Sequence, residues 1–339
     1  MLDIFDRIPE GLLDLEPTEL WQIVKRPTLI HLEGDRQPAL FVSILLHGNE
    51  TTSWLAMREL LRKYQGKSQA QKLPRSLSLF IGNIEGARYR QRHLAHQPDY
   101  NRIWQIENQS EPLQEQIMAQ AVTMEMRSRG VFASIDIHNN TGRNPHYGCI
   151  TRLDKHSLHL ARLFDKTMVF YTSPKTVQSY AFGQFCPAIV LECGQPDHPA
   201  GTAHALEYVE TCLNLDSFDN LPDSAIADID LFHTVAIVKV PKQLNFSFNG
   251  NPNDDITFPS EMDCLNFCEL PIGTKFGEAK TEKAYLSAVS EDGEEKGDRY
   301  FQIEDGEIIL KRPVMPSMLT LNTDIVRQDC LCYLMERIS

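Results

Sequence analysis

Apolar residues run almost unbroken from Ala39 to Leu46, with Ser43 the one interruption, and stop at His47-Gly48-Asn49-Glu50. A short run of this kind, with no polar face, predicts a strand buried on both sides, as in a parallel sheet covered by helices. Thr51, Thr52 and Ser53 then offer capping hydroxyls, and Trp54, Leu55, Met57, Leu60 and Leu61 recur at helical spacing. The same exchange of periods continues down the chain. Residues 77–81, 131–137, 167–171 and 186–191 read as further strands. Residues 111–129, 154–166 and 201–215 read as helices, the first with a stripe of Leu113, Ile117, Ala121 and Met124 that should pack on the sheet. Residues 1–37 supply scattered apolar positions for a short helix and an edge strand, and the polar stretch 66–74 is loop-like.

Near 220–230 the pattern changes to short alternating strands at 231–240, 244–248, 283–289 and 300–310, with turns at Asn249-Gly250 and Asp292-Gly293. The expected fold class is therefore α/β, a central mixed sheet flanked by helices over residues 1–222, followed by a smaller β-rich C-terminal domain over 223–339.

A net charge of -13 over 339 residues argues against a nucleic-acid surface but not against a small anionic substrate, provided arginines gather in one pocket. No apolar run reaches the length of about 18 residues that reads as a membrane span, and the N-terminus lacks the pattern of an export signal, so the expected location is cytoplasmic. The eight cysteines read as reduced thiols rather than a disulfide framework. Cys264/Cys268 and Cys330/Cys332 lack the spacing of structural zinc knuckles. His156 and His159 sit among surface-type residues and read as solvated. The acidic stretch Glu291, Asp292, Glu294, Glu295 reads as a solvated loop.

Candidate chemistry collects at strand ends, where open α/β sheets keep their sites. His47 and Glu50 follow the first buried strand. Asp136 and His138 lie two apart on another, facing one side, so that the carboxylate can orient the ring. Glu192 ends a third strand, where an apolar approach should raise its pKa toward the range of a general base. Two histidines and one glutamate form a catalytic zinc set with a coordination position left open. Arg88, Arg90, Arg92 and Arg102 fall in the most basic stretch of an acidic chain, a grouping that suits a carboxylate ligand.

These segments resemble the succinylglutamate desuccinylase and aspartoacylase family, a branch of the zinc carboxypeptidase superfamily. The resemblance rests on His47-Gly48-Asn49-Glu50, Gly82-Asn83 through Arg88, Gln91 and Arg92 to Asp99-Tyr100-Asn101-Arg102, Asp136-Ile137-His138-Asn139, and Glu192-Cys193-Gly194, in the family's order. It implies a zinc-dependent hydrolase that removes an acyl group from an N-acyl amino acid through a metal-activated water. His47, Glu50 and His138 would hold one Zn2+ per chain, and Glu192 would be the general base. Arg92 would stabilise the oxyanion, with Arg88 and Arg90 as alternatives, while Asn101 and Arg102 would bind the substrate carboxylate. His93 stands where the family usually has an aromatic residue, and Ala95 to Pro98 lengthens the loop, so the acyl pocket departs from the family pattern. The alternative activity is a metallocarboxypeptidase acting on peptide C-termini. A third reading is a binding protein without turnover. The partner implied is a small anionic substrate, with no nucleic acid or membrane, and a homo-oligomer is compatible. The resemblance also implies that the tail shapes the substrate channel, with a residue such as Tyr285 or Arg299 reaching the site.

Overall fold

The computed structural model describes residues 1–65, 72–106 and 111–338, so most of the stretch read as a loop from Gly66 lies outside the described residues. The chain divides into two compact units: Met1–Asn139 with His146–Asp230, and Asn140–Pro145 with Leu231–Ser339.

The first unit is built on strands β1 (Asp3–Phe5), β2 (Thr28–Leu32), β3 (Ala39–Ile44), β4 (Leu77–Ile81), β5 (Val131–His138), β6 (Tyr147–Ile150), β7 (Thr167–Phe170) and β8 (Ala188–Glu192). They pair in the order β1-β2-β4-β3-β5-β8-β6-β7. The neighbours β4, β3, β5 and β8 run parallel, whereas β2 and β6 are antiparallel to β4 and β8. Every residue of β3, β4 and β8 is buried, the physical reason these strands lack a polar face. Among the described residues six α-helices accompany the sheet: α1 (Thr52–Gln65), α2 (Ile84–Arg88), α3 (Gln114–Arg129), α4 (Lys155–Arg162), α5 (Gln178–Gly183) and α6 (Pro199–Asn214). Side chains from α3 and α5 close over Phe41 and Phe80, and Phe41 stacks on Phe182 with ring centroids 4.3 Å apart.

From β3 the chain crosses through α1 to β4 on one side, then through α2 and α3 to β5 on the other. The strand order thus reverses between β3 and β5, and such a switch point opens a crevice beyond the carboxyl ends of the strands. His47 and His138 stand at that crevice.

Two expectations need correction. Helix α3 buries Met118, Ala119, Val122 and Met126, while Leu113, Ile117 and Met124 are exposed. The helix is apolar on opposite faces, so periodicity alone could not choose the inner one, and Gln116 is inward because its side chain accepts the Leu113 N–H at 2.8 Å. His159 is buried, with Nε2 3.2 Å from the Pro222 carbonyl, whereas His156 is partly exposed and pairs with Asp219 at 2.8 Å. Strand β6 had no sequence expectation because four residues carry too little pattern.

The second unit contains β9 (Asp230–Lys239), β10 (Phe246–Ser247), β11 (Ile256–Thr257), β12 (Lys275–Ala279), β13 (Ser287–Ser290), β14 (Phe301–Glu304), β15 (Glu307–Leu310), β16 (Met315–Ser317) and β17 (Cys332–Arg337). Strands β13, β9, β17 and β16 form antiparallel pairs in that order, and β10-β11-β12-β15-β14 form a separate sheet. Burial alternates along most of β9, as in a sheet with one covered face. The stretch 300–310 is a hairpin turned at Asp305-Gly306, both with positive φ. Cys264 and Cys268 are exposed, Cys330 and Cys332 buried, and none of the eight cysteines is in a disulfide. No helix among the described residues is long and apolar enough to cross a membrane.

Candidate metal centre

The turn after β3 is sterically specified. Leu45 takes a left-handed φ of 52°, a conformation that costs a non-glycine residue about 1–2 kcal/mol, and the Ser53 hydroxyl accepts its N–H at 3.2 Å. Gly48 lies against α2: a Cβ there would meet the Gly86 carbonyl carbon at 2.0 Å. Its N–H donates to the Arg92 carbonyl at 3.1 Å. The turn therefore delivers His47 and Glu50 to the crevice. His138 and Glu192 are the last residues of neighbouring parallel strands and are paired in register, which puts both on one face of the sheet.

His47, Glu50 and His138 are buried, and their ligand atoms all lie within 4.8 Å of one another. Glu50 divides its carboxylate between the rings, with Oε1 2.7 Å from His47 Nδ1 and Oε2 2.7 Å from His138 Nδ1. Each ring meets a second carboxylate on its other side: His47 Nε2 lies 3.2 Å from Asp99 Oδ1, and His138 Nε2 lies 2.9 Å from Asp136 Oδ2. If the two aspartates accept the Nε2 protons, both Nδ1 lone pairs point at Glu50 oxygens. Acceptor would then face acceptor across 2.7 Å unless a cation stands between them, and a proton or a metal ion can fill that role. Three carboxylates around two imidazoles form a donor set that suits a divalent ion such as zinc.

The electrostatics follow from this crowding. Burial would push the Glu50 carboxyl up, but His47 and His138 outweigh it and hold the group well below the carboxylate range. Burial alone would lower His138, yet Asp136 and Glu50 raise it well above its ordinary value. Burial likewise opposes ionised Asp99, and Arg92 with His47 more than compensates, keeping its carboxyl low. Glu192 is buried one strand from His138, and its charge adds to burial in pushing the Cys149 and Cys193 thiols up.

The arginines separate. Arg92 donates through Nε (3.1 Å) and Nη2 (2.9 Å) to Asp99 Oδ2. Arg88 lies over the Trp21 ring at 4.0 Å, and Arg90 pairs with Asp197. Arg102 donates to the Asn101 carbonyl at 2.9 Å. Asn101 is buried, its Oδ1 accepting the Gln178 N–H at 3.2 Å and its Nδ2 lying 3.4 Å from His138 Nε2. Sequence reasoning assigned nothing to Asp99, to Ser43, whose hydroxyl donates to Asp136 Oδ1 at 2.7 Å, or to Asn139, whose N–H donates to Glu50 Oε2 at 3.1 Å. Asp99 lies 52 residues from His47, beyond any local pattern.

Comparison with solved structures finds the same fold. A succinylglutamate desuccinylase from Vibrio parahaemolyticus matches with a TM-score of 0.61 and 14% identity, over 92% of this chain and 86% of that one. A succinylglutamate desuccinylase/aspartoacylase from Rhodobacter sphaeroides matches with a TM-score of 0.59 and 12% identity, over 91% and 88%. Murine aminoacylase 3 matches with a TM-score of 0.56 and 14% identity, over 90% and 97%. No curated protein matches by sequence. Residues 36–216, more than half of the chain and all of the segment that carries the buried cluster, match the family model described as the succinylglutamate desuccinylase/aspartoacylase catalytic domain, so the chain belongs to that family.

Proposed function

We propose that this protein is a zinc-dependent amidohydrolase that cleaves the amide bond of an N-acyl amino acid, releasing a carboxylic acid and a free amine. The observation carrying the reading is the position of Glu50, with one carboxylate oxygen 2.7 Å from each histidine Nδ1 and each histidine backed by an aspartate. His47, Glu50 and His138 would hold one Zn2+ per chain. When bound, that ion supplies Lewis acidity to polarise a carbonyl and to lower the pKa of water. Glu192 takes the proton of the attacking water and returns it to the leaving amine. Arg92, oriented by Asp99, meets the negative charge that develops on the carbonyl oxygen. Arg102 holds the substrate carboxylate, and Asn101 shapes that subsite beside it. We expect a small anionic substrate and a cytoplasmic location.

The test is elemental analysis of protein purified without chelator, followed by chelation, zinc return, and assays on N-acetyl, N-succinyl and N-formyl amino acids beside a dipeptide panel. Stoichiometric zinc, with hydrolysis of an acyl amino acid lost on chelation and restored by zinc, is the expected result. Full activity in His47→Ala would refute the proposal, and preferential cleavage of dipeptides would move the reading to a metallocarboxypeptidase.

A further inference from the structure

Among the described residues of the first unit, three that are not glycine take a left-handed φ: Leu45 at 52°, Arg90 at 52° and Asp197 at 64°. Residues held in this way persist only where their surroundings over-determine the backbone, and they gather at functional sites. Leu45 belongs to the turn that delivers His47. The other two are bonded to each other, Arg90 Nη2 pairing with Asp197 Oδ2. Asp197 Oδ1 meanwhile accepts the Thr51 hydroxyl at 2.6 Å, and Thr51 directly follows the candidate ligand Glu50. One carboxylate therefore joins three segments that are distant in sequence: the loop that leaves β8 after Glu192, the turn that carries Glu50, and the loop that leads to Arg92. The two halves of the contact differ in strength. Arg90 and Asp197 are both more than half exposed, and such an ion pair holds little by itself. Thr51 is buried, and a hydroxyl donated to an ionised carboxylate makes a short, strong bond. Thr51 is thus the anchor, and it presents Arg90 with a carboxylate already in place. The arginine loop is tied to the metal turn a second time where the Arg92 carbonyl accepts the Gly48 N–H at 3.1 Å, so residues 90–92 are fixed at both ends.

We propose that Asp197 is a positioning residue: it clamps the loop after Glu192 and the arginine loop onto the turn that carries Glu50, so that Arg92 stands in place before substrate arrives. This rests on the hydrolase reading above. Asp197 touches neither the candidate metal ligands nor the reacting atoms and acts through the backbone of the loops it joins. A misplacement of about 1 Å in a reacting group costs on the order of 100-fold in rate, and Asp197 works at one remove from Arg92, so loss of the clamp should cost about tenfold. The loss falls on kcat, because Arg92 meets charge that develops only in the transition state.

The test compares two variants of the full chain. Asp197→Gly removes the carboxylate and adds no strain, because glycine takes a left-handed φ freely. Asp197→Asn also tolerates that φ, and its amide can keep both contacts, with oxygen on Arg90 and NH2 donating to a reversed Thr51 hydroxyl. The first readout, independent of turnover, is amide hydrogen exchange. In Asp197→Gly exchange should quicken about tenfold in both residues 89–92 and residues 193–198, and Arg90→Gly should likewise quicken residues 193–198, while Asp197→Asn stays near the wild type. The second readout is steady-state hydrolysis of the best N-acyl amino acid. There Asp197→Gly should lower kcat about tenfold with KM within about twofold and zinc content unchanged, and Asp197→Asn should stay within about threefold of the wild type. Unchanged exchange at residues 89–92 in Asp197→Gly, loosened loops with kcat within about twofold of the wild type, or an asparagine variant as impaired as the glycine one would overturn the proposal. A wild type that hydrolyses no acyl amino acid would refute the hydrolase reading instead, and exchange would still decide whether the clamp exists.

Discussion

Asp99 offers the sharpest test of the site's geometry, because it touches both the ring that would ligate the metal and the arginine that would meet the substrate. In Asp99→Asn the shape is kept and one acceptor oxygen becomes a donor. If the amide oxygen stays on Arg92, the NH2 group faces His47 Nε2, which must then act as acceptor. The ring proton moves to Nδ1 and points at Glu50, the wrong tautomer for a ligand. If the amide flips, its NH2 abuts the Arg92 guanidinium. Loss of such an orienting carboxylate typically costs 10- to 100-fold in metal affinity, about 1.4–2.7 kcal/mol. Weakening the charge-assisted bonds from Arg92 costs about a further 1.5–3 kcal/mol of folding stability, roughly 3–12 °C of melting temperature. Asp136→Asn is the control. Its amide can keep oxygen on His138 and turn NH2 to Ser43, whose hydroxyl can reverse and accept, so the loss should stay below about tenfold. Zinc dissociation constants from chelator competition and thermal melts of both variants decide the matter. Zinc binding by Asp99→Asn within about twofold of wild type, or equal losses in the two variants, would refute the tautomer argument.

Zinc affinity should fall as the pH is lowered through the raised pKa of His138, because the ion must displace a proton; below that value the dissociation constant should rise about tenfold per pH unit, measured by chelator competition across a pH series. In the metal-free protein Asp99, whose folded pKa lies below its ordinary 3.8, contributes stability above about that pH and loses it as the pH falls toward the folded value. Acid melts of the wild type should therefore be steeper than those of Asp99→Asn. Gly48→Ala, with no room for its Cβ, should cost about 3 kcal/mol or more in denaturant titrations. Arg92→Ala should lower kcat/KM by about 100-fold or more, whereas Arg88→Ala should change it by less than about threefold, since Arg88 lies over Trp21. Equal effects would reassign the role.

The parts of this fold that were legible in the sequence are those whose cause is local. Residues 39–46 could be read as a doubly buried strand because each side chain reports its own surroundings, and all of Ala39–Ile44 are buried. The cluster of His47, Glu50 and His138 was legible only in combination: each polar strand end alone reads as readily as an ordinary loop, and the set pointed to a metal because three strand ends offered matching donors in the order of the family's motifs. Asp136 could be read as a partner of His138 because two positions along a strand return to the same face. What failed was information that belongs to the tertiary structure. Helix α3 is apolar on two faces, and only tertiary packing chooses between them: Val122 and Met126 join the cluster with Phe41, Phe80 and Phe182, whereas Ile117 and Met124 are exposed. The burial of His159 was not legible because the ring's hydrogen-bond partner, the Pro222 carbonyl, stands 63 residues away.

Asp99 shows the same limit in the site itself, and it also explains why several arginines in one stretch could not be ranked. A guanidinium is placed by the carboxylate it meets, and those partners are distant: Asp197 for Arg90, 107 residues on, and for Arg88 the ring of Trp21 in a different element. Arg92 differs because its partner, only seven residues away, is itself tied to His47. Arg92 is thus tied to the candidate metal ligands by a chain of contacts, Arg92 to Asp99 to His47 to Glu50, in which each member orients the next. A substrate that draws on Arg92 must therefore also act on the ring that would ligate the metal. Substrate and zinc affinities should accordingly be coupled, and by the same factor in both directions. Measuring zinc dissociation with and without a non-hydrolysable substrate analogue tests that step, and identical constants would show that the contacts from Arg92 to Glu50 transmit nothing.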